Sequence, residues 1–187
     1  MTQSALRLDD AIVNRGRWLG SAVGWVLILT GGLTLVGWAY DAEPLKGSHA
    51  GIAVKANTAA LLVLTGASLW LLCVRWRSAV PRLVGEVLAL LVGVAGAATL
   101  SQDLFGWDLG IDQLLFTEAP GAPATTSPGR MGPPASACFT LAGASLFLLH
   151  ARRAPVLAQS AAVGIGTIAL LAITGHTYSV GMLYGVA

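Results

Sequence analysis

Residues 101–136, SQDLFGWDLGIDQLLFTEAPGAPATTSPGRMGPPAS, are the one long polar interruption of an otherwise apolar chain, and they carry four of its nine acids. The 187 residues are 55% hydrophobic and only 11% charged, and the mean hydropathy is +0.72. That is more apolar surface than one soluble core of this size needs. The reading is therefore an all-α, polytopic membrane helix bundle of about five transmembrane helices, with residues 101–134 as a long external loop.

Working outward from the loop, the apolar runs fall at about 18–39, 57–74, 83–100, 135–150 and 156–175. About twenty apolar residues cross a ~30 Å hydrocarbon layer as a helix. A secretory signal peptide is the rival reading of the first run. It is disfavoured because the run exceeds the usual ~7–15 residues and no small-x-small cleavage site follows WAYDAEP at 38–44. Gly16, Gly20 and Gly24 recur at four-residue spacing, which predicts a smooth face for close helix packing. Asn57 and Thr58 read as caps of the second span. Pro81 and Arg82 open the third, where Glu86 sits four residues after Arg82 and reads as its ion-pair partner; a proton relay is the other possibility. Pro133 and Pro134 introduce the fourth.

Basic residues orient the chain. Arg7, Arg15 and Arg17 precede the first span, Arg75, Arg77 and Arg82 lie in one turn, and Arg152 and Arg153 in another. These segments, with residues 1–17, are assigned to the cytoplasm. The alternate loops hold only Lys46, Lys55 and Arg130 but carry Asp41, Glu43, Asp103, Asp108, Asp112 and Glu118. Localisation is thus a plasma (inner) membrane, multi-pass, with the N-terminus cytoplasmic and the lipid bilayer as partner. A net charge of +2 in short clusters gives no nucleic-acid partner. Cys73 and Cys138 fall at opposite faces, so no disulfide joins them.

Residues 54–75, VKANTAALLVLTGASLWLLCVR, align without gaps over 131–152, MGPPASACFTLAGASLFLLHAR, sharing GASL and a terminal arginine. A duplicated unit of outward span, external loop and return span is predicted. The fifth span opens a third unit. Five spans starting inside leave Ala187 outside, so a sixth span is expected beyond it.

GIDQLLF at 110–116 and PGRMGPP at 128–134 resemble the polytopic N-terminal membrane sensor region that precedes PAS, histidine-kinase or GGDEF modules in bacterial signalling proteins. There, G-I-D-Q-L-L-F leads to P-G-R-M-x-P-N-T-A and an apolar helix. KANTA at 55–59 is similar to an earlier copy of that motif, and LYGVA at 183–187 to the start of a third. Pro134 and Ala135 depart from the family's Asn-Thr. The resemblance implies a sensory or anchoring module of a two-component signal-transduction protein, as a homodimer, with a cytoplasmic kinase or cyclase effector in the parent chain. The chain itself carries no ATP-binding or GGDEF motif, and His150 is followed by Arg152 and Arg153, unlike a phospho-acceptor. No enzyme activity is expected of it. An autonomous small integral membrane protein and a transporter or channel fragment remain as alternatives.

The candidate ligand-binding residues are Asp112, Gln113 and Arg130, with Asp108 and Trp107. Phe105, Trp107 and Phe116 would form walls around a small ligand or lipid headgroup. The competing reading makes residues 107–116 a short amphipathic helix lying on the membrane surface. A Pro/Gly-rich linker is expected over 118–129. His49 and His176 fall near the outer face and His150 at the inner one, where a surface or interfacial position is expected. Neither these nor the cysteines have partners at ligand spacing, so no metal or cofactor is expected.

Overall fold

Most large apolar side chains of the third helix point outward, and small or polar ones, together with Val92, point in. Leu83, Val87, Leu90, Leu91 and Val94 are exposed, whereas Gly85, Ala89, Val92, Gly96, Thr99 and Gln102 are buried. A bundle in water would reverse this pattern. In lipid, association comes from close backbone approach and packing, so small residues line the contacts. The computed structural model describes residues 3–47, 53–118 and 127–178. They form five α-helices: α1 (Gln3–Ala39), α2 (Ala56–Cys73), α3 (Val80–Phe105), α4 (Pro133–His150) and α5 (Pro155–Thr177). A short 3₁₀ turn, Glu43–Lys46, follows α1. Among the described residues there is no strand.

Four helices are long and apolar enough to cross a membrane, within α1, α2, α3 and α5. The chain is therefore a multi-pass, all-α bundle. The 18 residues of α4 cover the fourth expected span without meeting that standard. Two prolines, Ser136, Thr140, Ser145 and His150 dilute its apolar character, and it packs against α3, α5 and α2. The N-terminal segment differs from the expectation of a separate polar stretch. It is helical from Gln3 and continuous with the first span, because it contains no proline to stop the helix.

The duplication seen in the sequence has a geometric counterpart. α1 packs on α2 and α3 on α4. A Cβ at Gly66 would lie 2.5 Å from the Gly24 carbonyl oxygen, and one at Gly143 would lie 2.6 Å from the Ala89 carbonyl oxygen. One at Gly31 would collide with the Ala59 carbonyl, and one at Gly96 would lie 2.9 Å from the Ser136 carbonyl. Likewise Gly20 faces Cys73, and Gly85 faces the His150 ring. Residues 59, 66 and 73 correspond to 136, 143 and 150 in the aligned repeat, so two hairpins use the same three contact points. Gly16, grouped by spacing with Gly20 and Gly24, has no such neighbour.

His150 departs from expectation. It is 3% exposed and its Nε2 lies 3.0 Å from the Ser68 carbonyl and 3.2 Å from the Ser68 hydroxyl. The carbonyl only accepts, so Nε2 carries the proton. Three helices meet here, since Ser68 Oγ donates to Gly85 O at 2.9 Å. The lack of a side chain at Gly85 makes room for the ring. Glu86 does pair with Arg82, at 2.9 Å.

Candidate functional site

The loop end of the bundle gathers the C-terminal turns of α1 and α3 and the first turns of α2 and α4. α3 outruns its expected end by one turn and more, closing at Gly106. This extension carries Gln102 and Asp103 out to the loop. Gln102 is fully buried and uses both ends of its amide. Its Nε2 donates to Asp112 Oδ1 at 3.1 Å and Oδ2 at 3.3 Å. Its Oε1 accepts from the Leu109 N–H at 2.7 Å and from Arg130 Nη2 at 3.3 Å.

Residues 107–116 are not a helix. Two local bonds and one glycine turn explain this. Gln102 captures the Leu109 N–H, and the Asp108 carboxylate accepts from the Gly110 N–H at 2.9 Å. Gly110 then turns the backbone left-handed at φ +66°, a conformation open to glycine that leaves the helical path. Leu114 is 74% exposed, so the segment has no sealed apolar side.

Asp112 lies at the centre. It is 8% exposed, and Arg130 Nε donates to its Oδ2 at 2.7 Å. Arg130 also stands 3.7 Å from Asp103 and 3.7 Å from Asp108. The Asp108 contact is solvent-exposed and contributes little. The buried Asp112 contact is the strong one, since both partners are desolvated and hydrogen-bonded. Asn57, expected as a helix cap, instead donates across the loop to Asp112 O at 2.7 Å and Ile111 O at 3.2 Å. It can do so because α2 starts one residue earlier, at Ala56, with no side-chain cap. Gly129, at φ +74°, brings its backbone against the Asp112 carbonyl, where a Cβ would lie 2.5 Å away.

A second tie runs alongside. Glu118 accepts from the Gly129 N–H at 2.7 Å and pairs with Lys55. Both side chains are about nine-tenths buried. Glu118 is therefore anchored, and most of the expected 118–129 linker lies outside the described residues, as do His49, the His176 side chain and LYGVA. Nearer α1, Trp38 donates to Val54 O at 2.8 Å and packs on Phe116. Lys46 pairs with Asp41 and Glu43 and lies 5.0 Å over the Trp38 ring. The Asp41 partner holds the Lys46 ammonium above its ordinary range, against the effect of burial, and Lys46 in turn holds Asp41 below its own.

Of the candidate residues, Asp112, Arg130 and Asp108 come together. Gln113 does not join them; its side chain accepts from the Glu118 N–H at 3.2 Å. Trp107 donates to Ser101 Oγ at 3.2 Å and stacks on Phe105, both exposed. The three aromatic residues thus split between two places and do not wall one pocket. Gln102, Asp103, Asn57, Lys55 and Glu118 lie outside the candidate set that the sequence suggests, where Asn57 reads as a helix cap. The available signal was a polar Gln–Asp pair within one turn of a span's end. Asp112 has its oxygens satisfied internally, so the cluster acts first as a brace that joins α2, α3 and both loop motifs. One Asp103 carboxylate oxygen is buried without a hydrogen-bond partner among the described residues.

No protein-family model matches the chain, and no curated protein and no solved structure matches it either.

Proposed function

We propose that the chain is the membrane-embedded input or anchoring module of a bacterial signal-transduction protein, of the sensor histidine kinase type. The observation that carries this reading is the bond between Asp112 and Arg130. Asp112 belongs to GIDQLLF and Arg130 to PGRM, the two motifs of the resemblance, and they close on each other at 2.7 Å. Residues that define a family motif and also clasp in space have a shared physical reason to occur together. The orientation that follows from the arginine-rich turns puts this clasp outside and the arginines in the cytoplasm.

The mechanism is a shift in packing. Small-residue contacts between α1 and α2, and between α3 and α4, let helices slide or tilt with little side-chain rearrangement. A stimulus that loosens or tightens the outer brace biases those contacts, and a cytoplasmic effector reads the change in a homodimer. The transporter or channel alternative needs polar groups at mid-membrane. Here the α3–α4 contact at that depth is made by Ala89, Val92 and Gly143.

The test is a fusion of the chain, through one added transmembrane helix that returns it to the cytoplasm, to the kinase half of a two-component pair with a transcriptional reporter. Arg130→Gln and Gly143→Val are each expected to shift output at least threefold at equal membrane abundance. Output indifferent to both substitutions overturns the reading.

A further inference from the structure

The end of the bundle opposite the loop cluster holds a cleft of about 710 Å3. Arginines line it from four parts of the chain: Arg17 on α1, Arg75 and Arg77 between α2 and α3, Arg82 in the first turn of α3, and Arg152 after α4. Its lining contains no acid. Two of the five cations are engaged within the fold. Arg17 Nε donates to the Cys73 carbonyl at 2.8 Å and so closes α2, and Arg82 pairs with Glu86. Among the described residues, Arg75, Arg77 and Arg152 have no carboxylate at ion-pair distance. At the loop end, by contrast, Lys46, Lys55 and Arg130 are each matched to acids.

Cations gathered around one cleft repel one another unless an anion sits among them. Two features add to the attraction. The N-terminus of α3 opens on the cleft through Ser78 and Ala79, and the unpaired N–H groups of a helix's first turn favour negative charge. Arg152 is held with a left-handed backbone at φ +55°, which is unfavourable for a residue with a Cβ, yet it lines the cleft. Apart from His150, the remaining wall is apolar. Leu71 and Leu149 line it beside Trp76, whose indole N–H donates to Leu71 O at 3.2 Å. Planar guanidinium forks suit phosphate oxygens, and basic pockets between membrane helices suit phospholipid headgroups.

We propose that this cleft binds a phosphate-bearing anion, with an anionic phospholipid headgroup and soluble phosphate as the two possible sources. The inference rests on the geometry of the cleft and not on the signalling reading.

The experiment uses the full chain in nanodiscs and compares it with a combined Arg75→Gln, Arg77→Gln, Arg152→Gln variant. A control carries Arg15→Gln and Arg153→Gln, neither of which lines the cleft. Phosphatidylglycerol in a phosphatidylcholine background is the lipid probe, and retained lipid is counted by native mass spectrometry. A fivefold or greater loss of retained phosphatidylglycerol in the triple variant, with the control within twofold of wild type, assigns the lipid headgroup. A rise in thermal midpoint with inorganic phosphate in neutral discs, absent from the triple variant, assigns the soluble anion. Lipid retention and phosphate response both unchanged in the triple variant, or a control that loses as much, overturns the proposal. If the triple variant does not fold, phenylglyoxal modification of the wild-type chain decides. Protection of Arg75, Arg77 and Arg152 by phosphatidylglycerol or by inorganic phosphate supports the cleft, and no protection by either overturns it.

Discussion

Ser68 on α2 and Ser145 on α4 are equivalent positions of the internal repeat, and each donates its hydroxyl to a backbone carbonyl of the following helix. Ser68 reaches Gly85 O at 2.9 Å and Ser145 reaches Ala158 O at 3.0 Å. Within each GASL segment the glycine faces the preceding helix and the serine faces the next one. One four-residue string therefore specifies two interfaces. It also makes α5 the counterpart of α3, since both receive a serine from the helix before.

Replacing either serine with alanine removes one buried hydrogen bond, with an expected loss of about 0.5–1.5 kcal/mol. Ser68→Ala sits at the upper end, because the His150 Nε2–H and the Gly85 carbonyl both lose the hydroxyl. Thermal unfolding of the chain in neutral nanodiscs measures the difference. Equal, negligible losses would show that the two carbonyls are satisfied within their own helices and that the hydroxyls add nothing.

The glycines separate more sharply. Gly143→Val forces a side chain into the backbone of Gly93 and Ala89, and Gly66→Val forces one against the Gly24 carbonyl and the Ile28 side chain. Overpacking of this kind costs about 1–3 kcal/mol or more. Gly16→Ala and Gly166→Ala meet nothing within 4 Å and are expected to be neutral or stabilising by up to about 1 kcal/mol through helix propensity. A matched fall in unfolding temperature at Gly16 and Gly143 would contradict the open surroundings of Gly16.

Four of the helices were legible in the sequence because length and apolarity set their spans, and α4 was legible from the prolines that open it and the arginines after it. The repeat was legible because a small residue at a backbone crossing has no substitute, so GASL recurs at 66–69 and 143–146. The loop cluster was half legible. Arg130 is the sole base in that loop and had to find an acid, and it found Asp112. Gln102 was hidden because a neutral amide near a span's end gives no periodic or charge signal; its importance comes from meeting Asp112 and Arg130 across ten and twenty-eight residues of sequence. Asn57 misled for a related reason. A capping residue type at a helix start has an attractive local use, and a longer-range bond displaced it. The buried state of His150 depends on Gly85, 65 residues away, which no local pattern reveals.

Arg130→Met leaves Asp112 buried without its cation, and removal of one partner of such a pair costs about 3–5 kcal/mol. Arg130→Lys keeps the charge but cannot bond Asp112 and Gln102 from two nitrogens at once, so it restores only part of the loss. Gln113→Ala touches only an exposed N–H and stays within about 0.5 kcal/mol of wild type. Unfolding midpoints in nanodiscs rank the three, and a Gln113 effect as large as that of Arg130 would mean that the two act in one cluster after all.

The turn after α1 gives a pH signature. Lys46 is held above its ordinary 10.5 chiefly by its hydrogen bond to Asp41, then by that to Glu43. A base raised in the fold stabilises fully below its unfolded value and loses that contribution as pH rises through the folded one. Asp41 is lowered from 3.8 by the same partner, so its share is present above 3.8 and disappears as pH falls below it. The pairing therefore supports the turn between about pH 4 and 10.5 and fails on both flanks. Lys46→Met should lower the thermal midpoint at neutral pH and flatten the alkaline drop expected of wild type above pH 10.5. All other groups are common to both proteins, so the difference between the two curves isolates Lys46 and its partners. If the curves run parallel from pH 7 to 12, the contacts of Lys46 with Asp41 and Glu43 do not support the turn.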